Sequence, residues 1–122
     1  VCCTRNNVPA DRHFFESDNG LAQEWGGLVW CNPPYGRAIP DWIAKSAAAA
    51  AGGAQVLVLI PARTGARWWH EAIAAGATPL FLRGRLKFWR NGVEGDAAPF
   101  DSAILCFGLR QDQFDALSAA SM

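Results

Sequence analysis

The chain has 122 residues, 51% of them apolar, which is enough for one domain with a packed core. Its formal charge is zero, so composition alone carries no nucleic-acid signal. No apolar run reaches the roughly 18 residues that span a membrane, and no signal peptide is visible. The four cysteines, Cys2, Cys3, Cys31 and Cys106, form no C-x-x-C pair, so no zinc or thiol-redox site is indicated and no metal is expected. A reducing, cytosolic setting is expected.

Residues 1–27 are rich in Asn, Asp, Pro and Gly and are expected to be mainly loop with short extended pieces. Residues 28–31 (Leu-Val-Trp-Cys) form a short apolar strand, stopped by Asn32-Pro33-Pro34 because proline has no N–H and restricts its predecessor. Pro40 suits the first turn of a helix that continues through Ala51 and ends at Gly52-Gly53. Residues 55–60 are nearly all Val, Leu and Ile, the composition of a central parallel strand, and Pro61 ends it. A second helix is expected over residues 65–75 with Gly76 as its stop, then strands over 78–82 and 102–109. Asp112 is placed as the cap of a last helix through Ser118. This order predicts an α/β layer fold with a mostly parallel sheet and an antiparallel final strand. In such sheets ligands sit beyond the carboxyl ends of the strands, where Asn32 and Pro61 fall. Cys31 and Cys106, inside apolar runs, read as small buried hydrophobes.

Charge is unevenly spread. Residues 61–90 hold six basic side chains (Arg63, Arg67, Arg83, Arg85, Lys87, Arg90) against one acid, Glu71, whereas residues 91–122 hold five acids against Arg110. The basic middle is where a phosphate backbone would dock, if it is more than ordinary surface charge.

The informative motif is Asn32-Pro33-Pro34-Tyr35 at the end of the first apolar strand, with Gly36 next. All four residue types favour turns, so as a bare tetrapeptide it reads as a tight turn. Its chemistry suggests more. An exocyclic amine on an aromatic ring is a poor nucleophile, because its lone pair is delocalised. Two acceptors holding its N–H groups let the nitrogen pyramidalise. The Asn32 side-chain oxygen is one, and the Pro33 backbone carbonyl, held by a rigid diproline turn, is the second. Tyr35 offers a flat face on which a base stacks. Catalysis is then by positioning and electrostatics, without a covalent intermediate. No general base is needed, so His13 and His70 are expected to be structural or solvated.

These residues resemble the catalytic loop of S-adenosylmethionine-dependent amino-methyltransferases, written (D/N/S)-P-P-(Y/F/W). The wider chain resembles the phage and prophage N6-adenine DNA methyltransferases of the Dam type. The matching stretches are Asp18-Asn19-Gly20-Leu21, Trp25, Leu28 to Gly36, Leu59 to Thr64, Trp68-Trp69-His70, Gly84 to Phe88, and Pro99-Phe100 to Phe107. The resemblance implies a Rossmann-like methyltransferase fold, S-adenosylmethionine as donor and adenine in DNA, double-stranded, as acceptor, in a bacterial or phage-infected cell. By position, it implies that Asn32, Pro33, Pro34 and Tyr35 hold the target amine and base, and that Asp18, Gly20 and Leu21, with Cys3 and Asn6, lie at the donor. It also implies that Arg63, Arg67, Arg85, Lys87 and Phe88 meet DNA or line the target pocket. Members of that family begin with a strand ending in Asp-x-Cys. Here Val1-Cys2-Cys3-Thr4 falls just after that Asp, so the central first strand is expected to be missing, and the exposed sheet edge makes an oligomer an open expectation. Two alternatives stand beside this reading. One is an amino-methyltransferase acting on RNA or on a protein glutamine. The other is a truncated, non-catalytic remnant that binds nucleic acid.

Overall fold

In the computed structural model of the chain, residues 19–90 and 93–120 are described, with residues 88–90 followed by their backbone alone. A short 3-10 turn, Gly20–Ala22, leads into β1 (Leu28–Cys31), α1 (Ile39–Ala51), β2 (Gln55–Pro61) and α2 (Arg67–Ala74). Then follow β3 (Thr78–Phe81), β4 (Lys87–Arg90), β5 (Val93–Ala97), β6 (Ser102–Phe107) and α3 (Gln111–Ala120).

The main sheet has the order β1-β2-β6-β3. β1 and β2 are parallel, with Cys31 opposite Val58, while β6 runs antiparallel to both β2 and β3. The fold class is therefore α/β with a mixed sheet, which corrects the expectation of a mostly parallel one. The reversed direction of the last strand was expected, but not its place. β6 enters between β2 and β3, so a single strand makes two antiparallel ladders. Its residues explain why it is accepted there: all six are buried, the pattern of a central strand covered on both faces.

Each face of the sheet has its own cluster. Val56, Val58, Leu105 and Phe107 pack with Trp42 and Ile43 of α1 and Trp69 and Ala72 of α2. On the other face Leu59, Leu80, Ile104 and Cys106 meet Phe114 and Leu117 of α3. A fully buried side chain of the size of Leu105 or Phe107 contributes about 1.5–3 kcal/mol through lost water contact.

α1 starts as expected, with proline in its first turn. α2 starts two residues later than the sequence pattern implied, at Arg67. Thr64 and Gly65 are spent in a turn where the Ala66 N–H donates to the Arg63 carbonyl and the His70 ring approaches the Thr64 carbonyl at 2.7 Å. β3 ends at Phe81 and β6 at Phe107, each one or two residues early. α3 begins before Asp112, which therefore sits in its first turn and is not its cap. Gln113 reaches back to accept the Arg110 N–H at 2.9 Å, one half of a capping box, while Asp112 pairs with Arg110 at 3.1 Å.

The β4–β5 hairpin was not expected. Its signal is in the sequence: Asn91-Gly92 between two short runs is a strong hairpin dipeptide. The polar residues Glu94 and Asp96 masked it, because β5 is exposed along its whole length and lacks an apolar face.

Gly108, just after β6, has a φ of 77°, and a Cβ there would stand 2.5 Å from the Ala54 carbonyl oxygen. Both the left-handed backbone and the close approach exclude a side chain. Gly108→Ala is expected to destabilise the chain by about 1–3 kcal/mol, read as a fall in the urea midpoint. An unchanged midpoint would contradict this packing.

Candidate active site

The three strands that run in one direction, β1, β2 and β3, end at the same edge of the sheet, and antiparallel β6 begins there. That edge gathers Asn32 after β1, Ala62 and Arg63 after β2, Leu82 to Arg85 after β3, and Phe100 and Asp101 before β6. Two main-chain hydrogen bonds sew these segments together: Ala62 N–H to the Asp101 carbonyl at 2.8 Å and Leu82 N–H to the Ser102 carbonyl at 3.1 Å.

β1 stops at Cys31 because Pro33 and Pro34 cannot extend a ladder. In the loop that follows, Asn32 is half-buried, Pro33 buried, Pro34 exposed and Tyr35 half-buried. Gly36 takes a φ of 134°, a conformation that favours glycine, and its carbonyl accepts the Ile39 N–H at 3.2 Å, which starts α1. The diproline corner is thus clamped between a strand end and a helix start.

Tyr35 is tied to the neighbouring strand. Its hydroxyl donates to the Leu59 carbonyl at 3.3 Å, and its ring packs against the same cluster that α1 covers. Phe100 meets that ring at 5.7 Å between centroids, with the planes inclined by 72°. The Asn32 side chain is in neither apolar cluster. Among the described residues, no hydrogen bond engages the Asn32 side chain or the Pro33 carbonyl. Both are therefore acceptors without a described partner, in the corner that leads into Tyr35.

Of the other expected site residues, Cys3, Asn6 and Asp18 lie outside the described residues. Gly20 is buried, and its carbonyl accepts the Trp25 indole N–H at 3.0 Å. Trp25 in turn stacks on Trp42 of α1 at 6.1 Å. This chain of contacts seats the 3-10 turn against the helix that follows the diproline loop. Leu21 is half-buried against the same cluster as Tyr35.

The expected basic residues separate into two groups. Arg67 is bound to Glu71 at 2.8 Å and Lys87 to Glu94 at 3.2 Å. Arg63 and Arg85 are exposed on the loops at the sheet edge, as is Arg83, and among the described residues no ion pair holds any of the three. The Phe88 side chain lies outside the described part. Sequence reasoning passed over two residues at the edge, Arg83 and Phe100. Arg83 was counted in the basic middle but lies just outside the matching stretch, Gly84 to Phe88, that singled out Arg85. Phe100 stood inside a recognised stretch but looked like the start of a core strand. No group of His, Cys, Asp and Glu able to hold a metal occurs among the described residues, and no described helix is long and apolar enough to cross a membrane.

The fold and site define an α/β protein with an Asn-Pro-Pro-Tyr corner at a strand end, where two oxygen acceptors have no hydrogen-bond partner among the described residues. The chain belongs to the DNA N-6-adenine-methyltransferase (Dam) family, whose family model matches residues 1–113. Neither the curated proteins nor the solved structures contain a match to it.

Burial governs the titrating groups around the loop. It pushes the Cys31 thiol from its ordinary 9.0 up to about 12 and the Cys106 thiol up to about 11. Tyr35 is pushed from 10.0 to about 12, by burial first and then by the nearby Cys31. The folded chain therefore holds these protons more tightly than the unfolded chain. Stability is expected to be level below pH 9 and to fall as pH rises from about 9 toward 12, as the unfolded groups ionise first. Urea midpoints measured across pH 8–11 test this. Cys31→Ala should flatten the decline, and a native profile flat to pH 11 would contradict the burial of these groups.

Proposed function

We propose that this chain carries the catalytic machinery of an S-adenosylmethionine-dependent DNA methyltransferase that methylates the N6 amine of adenine. The observation that carries the reading is the pair of unengaged acceptors, the Asn32 side chain and the Pro33 carbonyl, beside the tethered ring of Tyr35. Family membership supplies the adenine and the DNA.

An adenine within a duplex is out of reach of such a corner, so it is flipped out at a cost of a few kcal/mol. Stacking on Tyr35 returns about 1–3 kcal/mol of that. The Asn32 oxygen and the Pro33 carbonyl accept the two N6 hydrogens. They draw the nitrogen out of conjugation and aim its lone pair. Pro34 holds the corner rigid, so the acceptors need no reorganisation during the reaction. The bound donor supplies an electrophilic methyl group. Leu21 and the Gly20 turn, with Asp18, Cys3 and Asn6, are the residues proposed to hold it. The nitrogen that receives the methyl group loses a proton, and the half-buried corner passes it to solvent without a dedicated base.

Arg63, Arg83 and Arg85 are the proposed phosphate contacts. β1 and β3 are three strand spacings apart, so the Arg83–Arg85 loop stands about 14 Å from the Asn32 corner. That is about four nucleotide steps along one strand. Arg67 and Lys87 are secondary contacts, since each must leave an acidic partner, and Phe88 is assigned to the rim of the target pocket. A Rossmann-like fold fits the three strands that share direction.

Incubation with methyl-labelled donor and duplex DNA, followed by digestion to nucleosides, tests the reading. Label is expected in N6-methyl-2′-deoxyadenosine, and label only in RNA or in a protein glutamine would redirect it. Asn32→Ala should lower the rate by roughly 10²–10³-fold, the scale for losing one transition-state hydrogen bond, while calorimetry finds donor affinity unchanged. Full activity in that variant would remove the loop from the mechanism. Arg85→Ala should weaken binding to all duplexes alike and lower the slope of log K against log salt by about 1; an unchanged slope would take Arg85 off the DNA.

A further inference from the structure

We propose that Phe100 is a positioning residue for catalysis, holding the Tyr35 ring at the tilt that the target base must meet. The proposal rests on the reading of Tyr35 as the stacking surface for that base.

Tyr35 is packed against the core cluster that α1 covers, and two further contacts of different kinds act on its ring. The Leu59 carbonyl fixes the hydroxyl end of the ring at 3.3 Å. A single hydrogen bond of this kind leaves the ring able to rotate about the axis from Cβ to the hydroxyl. The tilt is set by what presses on the ring from the side, and Phe100 is an aromatic contact that does so, at 5.7 Å with its plane turned by 72°. Edge-on aromatic pairs prefer such an angle because the positive rim of one ring meets the negative face of the other.

Phe100 is itself held firmly. The next residue, Asp101, accepts the Ala62 N–H at 2.8 Å, and Ser102, which follows, is buried and in register with Pro61. Two residues earlier, Ala98 is buried, and its N–H donates to the Leu86 carbonyl at 2.7 Å. Phe100 thus sits on a short span fastened on one side to the main sheet and on the other to the residue that precedes β4. The span carries the position of β2 and β6 to the face of a ring that belongs to the β1–α1 loop. Phe100 is only half-buried and belongs to neither apolar cluster. Its side chain therefore has more to do with the ring it touches than with the packing of the core.

The chain contains a single tyrosine. Incorporation of 3-fluorotyrosine therefore places one fluorine resonance on Tyr35, and that resonance reports the ring directly. Phe100→Leu keeps apolar bulk and removes the aromatic partner, whereas Phe100→Tyr keeps the ring. With methyl-labelled donor and duplex DNA, Phe100→Leu is expected to lower kcat about tenfold. KM for DNA and donor affinity should stay within twofold of native, and the fluorine resonance should shift or broaden. Phe100→Tyr is expected to restore kcat, and of its two fluorine resonances the one from Tyr35 should return to the native position. The proposal is overturned if Phe100→Leu keeps native kcat, or if both variants lose activity in step with a lowered melting temperature. Should the native chain not methylate DNA, the functional reading fails on its own account. The fluorine signal then decides the rest: a shift in Phe100→Leu keeps Phe100 as the support of Tyr35, and an unmoved signal removes it.

Discussion

Tyr35 and Leu59 are far apart in the chain, yet the hydroxyl of one lies 3.3 Å from the carbonyl of the other, and the site depends on that contact. It exists because β2 runs on past β1. The parallel ladder ends with Cys31 opposite Val58, and β2 continues through Leu59, Ile60 and Pro61. Beyond the end of β1, a strand carbonyl on that side has lost its ladder partner. The tyrosine hydroxyl satisfies it, as a half-buried backbone acceptor requires. The diproline corner stops β1 early, and the same early stop creates the acceptor that anchors the residue closing the corner.

The insertion of β6 between β2 and β3 has a comparable reach. An antiparallel strand in that place brings its amino end to the edge where its neighbours finish, so Phe100 and Asp101 arrive beside the loops after β1 and β2. Without the reversal, that stretch would lie at the opposite end of the sheet. The strand can take the place because its side chains alternate between two apolar clusters, Leu105 and Phe107 on one side and Ile104 and Cys106 on the other. The β4–β5 hairpin is the connection that the reversal requires. It leaves the sheet after β3 and returns to start β6 at the same edge.

Electrostatics at this edge is sparser than a count of basic residues implies. Lys87 is tied to Glu94 across the hairpin, and Arg67 to Glu71 one helical turn away. Exposed pairs of this kind add little to stability, typically below 1 kcal/mol, but they lower the local positive field. Among the described residues, what remains at this edge lies on three loops, with Arg37 after β1, Arg63 after β2, and Arg83 and Arg85 after β3.

The sequence by itself settled the α/β class, the strand that ends at Asn32-Pro33, α1 with its proline start, and the burial of Cys31 and Cys106. These follow from local rules: proline cannot continue a ladder, and unbroken Val, Leu and Ile runs demand cover on both faces. The resemblance carried by the Asn-Pro-Pro-Tyr loop and its flanking stretches led to the family. Tertiary structure decided what local rules cannot reach. The order of strands, and with it the mixed sheet, depends on which edges pair at long range. The exposed β4–β5 hairpin escaped notice because it has no buried face to impose a period. The pairing of Lys87 with Glu94 needs a strand register before it can be seen. The meeting of Phe100 with Tyr35 joins residues that only the reversed direction of β6 brings to the same edge.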